Sequence, residues 1–406
     1  MRIHQFLVRL SLCFFLVSSL VGSAFLYAAE PIQNEWDNVA RLVIIGDIHG
    51  DYDSYISVLR EAGIVNRRGN WTGDDTHLVQ VGDVPDRGPD TLRIIEHLQK
   101  LETQARRDDG MVHVLIGNHE FMNVVGDLRY VHPGEYDEFT SRNSRQYQDA
   151  YYQQVVQAIL TQNETSETPV VIDDAFKDSW YQQFPPGYVE HRLAWQPGGD
   201  INNWVNTHNS VIRINDMLFM HAGLGPTMLT MSLDEMNNQI RAEILGPLLP
   251  ENNLGDNEEG PLWYRGLAMN PEATEGAHVQ SLLDTYKVNH IIVGHTPELG
   301  VITPRFGGKV IITDTGMSAY YGAHKASVLF ENGELLAIQD GEKIALPQND
   351  ADIIPYFQAV AELKPDHQPL INHIYSLQNP EPIQEELEGL EPAVEDNTIS
   401  EDAAGF

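Results

Sequence analysis

Cysteine is all but missing: among 406 residues only Cys13 is one, and it lies in the first apolar stretch. Beyond that stretch no disulfide framework, thiolate nucleophile or sulfur-ligated metal can be built. Basic residues are scarce as well, 25 Lys and Arg against 59 Asp and Glu, for a formal net charge of -34. A nucleic-acid partner needs its phosphates neutralised by Lys and Arg, so none is expected. The acidity is spread along the chain and reads as a soluble, self-repelling surface rather than as a ligand site. Long apolar runs are confined to one place. Residues 1–29 open with Arg2, His4 and Arg9, run apolar from Leu10 to Tyr27 and end on small residues at Ala28 and Ala29. This predicts a secretory signal peptide cut after Ala24 or Ala29, and a secreted or periplasmic protein with no stable membrane insertion. The competing reading is an uncleaved anchor.

What is present is a real core, since 42% of the residues are hydrophobic. Residues 30–375 read as one domain, and residues 376–406, acidic and free of Lys and Arg, as a solvated disordered tail. Within the domain one arrangement recurs: an apolar run that reads as a strand, then a turn carrying a polar side chain. Leu42-Val43-Ile44-Ile45 leads into Gly46-Asp47-Ile48-His49-Gly50. Leu78-Val79-Gln80-Val81 leads into Gly82-Asp83-Val84-Pro85-Asp86-Arg87-Gly88, and 112–116 into Gly117-Asn118-His119-Glu120. Helices follow at 53–62 and 91–101, so strand, turn and helix alternate, which predicts an α/β fold with parallel strands and helices outside. From 121 to 215 aromatic and amide residues dominate, and this reads as a mostly helical insertion whose aromatic rings pack against one another. The opening arrangement then resumes at His221-Ala222-Gly223, Gly294-His295-Thr296 and Asp314-Thr315-Gly316.

In α/β sheets chemistry gathers at the carboxyl ends of the strands. Asp47, His49, Asp83, Asn118, His221 and His295 are too many oxygen and nitrogen donors for one structural zinc and suit two divalent ions, manganese, iron or zinc. Asp47, His49 and Asp83 are assigned to one ion, and Asp83, Asn118, His221 and His295 to the other, with Asp83 as the bridge. Two ions ~3.5–4 Å apart lower the pKa of a shared water and organise in-line attack on a phosphoryl group. The leaving oxygen needs a proton, which His119 can give if a carboxylate keeps it charged, and Asp86 is that partner. Arg87 offers a planar fork for phosphate oxygens; Arg265 is a second candidate, with Arg192, Arg213, Arg142 and Arg145 as others.

These blocks resemble the signature of the calcineurin-like metallophosphoesterases, in the phosphoprotein phosphatase branch, over roughly residues 41–325. Residues 117–130 and Asp314-Thr315-Gly316-Met317-Ser318 resemble the Shewanella-like protein phosphatases in particular. The resemblance implies a four-layer α/β/β/α sandwich, a dinuclear site with the ligands above, and hydrolysis of phosphomonoesters on proteins, phosphotyrosine included. It also implies that His119 paired with Asp86 is the proton donor and that Arg87 grips phosphate. The alternatives on the same site are a phosphodiesterase or a dinucleoside polyphosphate hydrolase, and, in another class, a metal-stabilised binding protein without turnover.

Overall fold

The computed structural model describes residues 32–246 and 253–380. The leader at 1–29 lies outside the described residues, as does the tail past 380. Twelve strands occur among the described residues: β1 Glu35–Trp36, β2 Arg41–Ile45, β3 His77–Gln80, β4 Met111–Val114, β5 Val211–Ile214, β6 Met217–Met220, β7 His290–Val293, β8 Thr303–Arg305, β9 Val310–Ile312, β10 Ala326–Glu331, β11 Glu334–Gln339 and β12 Glu342–Ala345. They form two six-stranded sheets, in the orders β1-β5-β6-β7-β9-β8 and β12-β11-β10-β2-β3-β4.

The strands are short and apolar because both of their faces are buried. In the second sheet Leu42, Ile44 and Val79 point toward the first sheet, whose Ile212, Ile214, Met217, Phe219, Ile292 and Ile311 complete that layer. Alternate residues face outward to helices, as the period of two demands. Val43, Ile45 and Leu78 meet Tyr55 and Leu59 of α1 (Tyr52–Glu61) and Ile94 and Leu98 of α2 (Thr91–Ala105). On the far side Leu218, Met220, Ile291 and Val293 join the cluster that holds Met236, Ile240, Val279 and Leu282. The order is helix, sheet, sheet, helix.

β2, β3 and β4 are parallel neighbours, and so are β6, β7 and β9. Each trio therefore delivers its carboxyl ends to one edge. Between β4 and β5 run α3 (Asn118–Val125), α4 (Glu135–Glu138), α5 (Ser144–Asn163), α6 (Asp174–Gln183), α7 (Tyr188–Trp195) and α8 (Asp200–Val205). Tyr136, Tyr152, Phe176, Trp180, Phe184 and Tyr188 build a separate aromatic core there. Two boundaries differ from the expected 121–215. Residues 118–125 belong to the site, and Val211–Ile214 is a sheet strand, antiparallel to β6 and parallel to β1. Four residues with an arginine among them carry too little pattern to stand out from an amide-rich stretch.

The chain continues through α9 (Leu233–Leu245), α10 (Gly266–Met269) and α11 (Glu272–Tyr286), and closes with α12 (Ile353–Leu363) and α13 (Gln368–Gln378). The last helix runs three residues past the expected end of the domain at 375. The β10–β12 meander was not read from sequence, although its turns carry the strongest hairpin signal. Asn332-Gly333 and Asp340-Gly341 both place two consecutive residues at positive φ. No helix among the described residues is long and apolar enough to cross a membrane.

Candidate metal centre

The edge where the two parallel trios end collects every ligand expected from sequence. Asp47 and His49 follow β2, Asp83 follows β3, and Asn118 and His119 open the helix after β4. His221 follows β6 and His295 follows β7. All seven are buried. His49, Asp83, Asp86, Arg87 and His295 lie in the left-handed backbone region, which costs non-glycine residues about 1–3 kcal/mol each and persists where the surroundings over-determine it.

Asp83 is the centre. Its Oδ1 accepts the His119 backbone N–H at 3.0 Å, which fixes the carboxylate. Its Oδ2 faces Nε2 of His221 at 3.3 Å, of His49 at 3.7 Å and of His119 at 3.8 Å. Two clusters of potential ligands share it, His49 with His119 on one side and His221 with His295 on the other. Asp47 sits 3.9 Å from His49 Nε2, and its two oxygens accept the His295 backbone N–H at 3.1 Å.

The tautomers follow from the backbone. His221 Nδ1 donates to the Val81 carbonyl at 3.0 Å, and His49 Nδ1 to the Pro85 carbonyl at 3.1 Å. Each Nε2 is then a bare lone pair. That of His221 points at Asn118 Oδ1, 2.9 Å away, and at His295 Nδ1, 3.0 Å away, as well as at Asp83. His295 Nε2 is buried without a protein partner. Lone pairs converging in a dry site repel unless cations lie between them, and oxygen with imidazole donors suits divalent first-row metals. The residues fit two such ions sharing Asp83. Burial and the neighbouring carboxylates of Asp314 and Asp83 push the Asp47 pKa well up, as expected of a crowded anionic cage.

His119 Nδ1 lies 2.5 Å from Asp86 Oδ2, which leaves Nε2 facing the cage. Burial disfavours its charged form, but Asp83 and Asp86 outweigh that and raise its pKa. Arg87 stands at the rim with its guanidinium 3.9 Å over the Tyr130 ring and Nη1 donating to the Tyr320 hydroxyl at 3.2 Å. Tyr321 completes the rim, 5.4 Å from the His49 ring. Arg265 reaches the same edge, where its Nη1 donates to the His295 carbonyl at 2.9 Å and to Thr296 Oγ1. Two of the other candidate arginines are engaged elsewhere. Arg213 pairs with Glu35 and Asp37, and Arg192 caps the end of α3.

Several residues that shape the site were not singled out from sequence. Glu120 accepts the backbone N–H groups of Gly117, Asp83 and Val84 at 2.7, 3.0 and 2.7 Å, stitching two motif loops together. Burial, then Asp83, pushes its pKa up to about 7. Its place three residues after Gly117 is the capping-box position, a signal that could have found it. Asp314, at the end of β9, is a strand-end carboxylate like the others and stands against Asp47. Asn123 donates to Asp86 Oδ1 at 3.0 Å from a helix position that shows nothing in the sequence.

The family model described as calcineurin-like phosphoesterase matches residues 40–299. An uncharacterized protein of Schizosaccharomyces pombe is 32% identical over 293 residues, which cover 70% of this chain and 74% of that protein. Shewanella-like protein phosphatase 2 of Arabidopsis thaliana is 29% identical, covering 71% of this chain and 74% of its own. Among solved structures, a cold-active protein-tyrosine phosphatase of a psychrophilic Shewanella species matches with a TM-score of 0.58 at 28% identity. That match covers 77% of this chain and 82% of the other.

Proposed function

The chain belongs to the calcineurin-like phosphoesterase family, and from that premise we propose that it is a metal-dependent protein phosphatase, hydrolysing phosphomonoesters at the cage around Asp83. The observation that carries this is the meeting of bare histidine lone pairs on one fixed carboxylate, beside an imidazole held by a buried aspartate. Asp47, His49 and Asp83 would hold one divalent ion, and Asp83, Asn118, His221 and His295 the other. When bound, the ions supply an acidified water and charge neutralisation at the phosphoryl oxygens.

The residues of the chain do the rest. Arg87 grips phosphate oxygens at the rim, with Arg265 as the second candidate. His119 holds a proton at Nε2 and delivers it to the departing oxygen, while Asp86 keeps the imidazole charged and aimed. The oxygen and nitrogen donor set supports manganese, iron or zinc. The rim of Tyr130, Tyr320 and Tyr321 supports phosphotyrosine among the substrates, as does the likeness to a tyrosine phosphatase. Phosphoserine and phosphothreonine remain within reach of the same cage. The apolar character of residues 1–29 supports export to the periplasm or beyond, which the N-terminal sequence of the protein recovered from the cell envelope would check.

Two measurements test this reading. Asp83→Asn should lose bound metal and turnover together, and a metal-loaded, fully active variant would overturn the assignment. Compared across a phosphotyrosine peptide, a phosphothreonine peptide, a bis-aryl phosphate and diadenosine tetraphosphate, kcat/KM should be highest on a phosphopeptide. A maximum on either of the last two would move the activity to the alternatives.

A further inference from the structure

The insertion reaches the proton donor through two adjacent residues of α7. Arg192 donates from Nη1 to the carbonyl of Asn123 and from Nη2 to that of Val124 at 3.4 Å. Those carbonyls end α3, where a cation is favoured by the helix dipole. The opening turn of the same helix carries Asn118 and His119. Between the two ends, the Asn123 side-chain amide donates at 3.0 Å both to Asp86 Oδ1 and to the carbonyl of His119. Arg192 therefore holds the helix whose side chains hold the dyad.

His191, the preceding residue, is fully buried and meets the equally buried Glu135 at 3.1 Å. Burial and the charge of Asp86 push the Glu135 carboxyl well up, and burial, then Arg192, pushes His191 well down. Both shifts disfavour charge on this pair beside Asp86. The Glu135 carboxyl takes hydrogen bonds from the Asp86 backbone N–H and the Thr91 hydroxyl, and His191 Nδ1 is buried with no protein partner. Such an orphan costs about 1–3 kcal/mol, which is a poor solution for packing alone.

We propose that α7 is a positioning element for catalysis: Arg192, through α3 and Asn123, and His191, through Glu135, fix Asp86 and with it the aim of His119. The inference rests on His119 being the proton donor, and it makes the insertion part of the chemistry. A departing alkoxide depends on a well-placed proton far more than a nitrophenoxide does.

The test compares kcat and KM of R192Q, R192K and H191F on p-nitrophenyl phosphate and on an alkyl phosphate, with bound metal and melting temperature measured alongside. R192Q and H191F should lose about tenfold more kcat on the alkyl ester than on the nitrophenyl ester, a part of the general-acid contribution, with KM and metal content kept. R192K should recover part of that difference. An equal loss on both esters, or no loss, in the folded variants reduces α7 to a packing role and overturns the proposal. If one of the two fails to fold, the other carries the comparison. His119→Ala runs in parallel: if it too fails to discriminate between the esters, the proton-donor reading is what has failed, and the inference falls with it.

Discussion

Asp83 shows how one residue is given two tasks by its two oxygens. Oδ1 is spent on the His119 backbone, so that Oδ2 stands at a fixed point among three histidines. The same economy explains a glycine. A Cβ on Gly294 would come within 2.2 Å of Asp47 Oδ1, so the glycine is there to let the carboxylate lie against the chain just before His295. Gly294→Ala must displace Asp47 or His295, and activity should fall about a hundredfold or more, as when a reacting geometry shifts by about 1 Å. A near-native rate with both ions bound would show that the cage tolerates the shift. The candidate ligands were legible in the sequence because Asp, Asn and His recur together at several strand ends. Glu120 and Asn123 were not, because what they hold is the backbone or another side chain, and those partners are defined only after folding.

At the scale of elements, α1 is fixed at its start by Asp51. Its carboxylate accepts the Ser54 N–H at 2.9 Å, and Oδ2 also accepts the Ala319 N–H at 2.8 Å, across to the segment that carries the rim tyrosines. Asp51→Ala removes an N-cap and should cost about 1 kcal/mol of stability, read from denaturant unfolding, with metal content unchanged. A variant as stable as the parent would show that solvent replaces both bonds. Strands β2, β3, β6 and β7 were readable because burial on both faces forces an unbroken apolar run. In the meander β10–β12 the outer strand β12 is largely exposed and polar, and the Asn-Gly and Asp-Gly turns are the local signal that speaks for it. α7 is readable as a helix, while its grip on α3 is not, since Arg192 and Asn123 lie 69 residues apart.

At the scale of the molecule, neither sheet has a complete site. The β2-β3-β4 edge supplies Asp47, His49, Asp83 and Asn118, and the other sheet supplies His221 and His295. Ions bound between them bind the folded state alone, so they must stabilise it. Chelation should lower the unfolding free energy by about 3 kcal/mol for each ion that had been held at a hundred times its Kd, seen as a drop in melting temperature reversed by adding metal back. A melting temperature indifferent to chelation would mean that the cage holds no ion at equilibrium. The formal net charge of -34 adds a screening effect on substrates: basic phosphopeptides should bind more weakly as salt rises, through KM rather than kcat.

The sequence by itself determined the α/β class, the strand ends and the list of candidate ligands, because a buried strand and a polar side chain at its end are each written in a few adjacent residues. Tertiary structure alone decided that the two sheets bring their strand ends to one edge, that Glu120 and Asn123 brace the motif loops, and that α7 grips the end of α3. Those facts depend on which distant segments come within hydrogen-bonding reach, and that is set by how the two sheets and the helices of the insertion pack, not by any local pattern of residues.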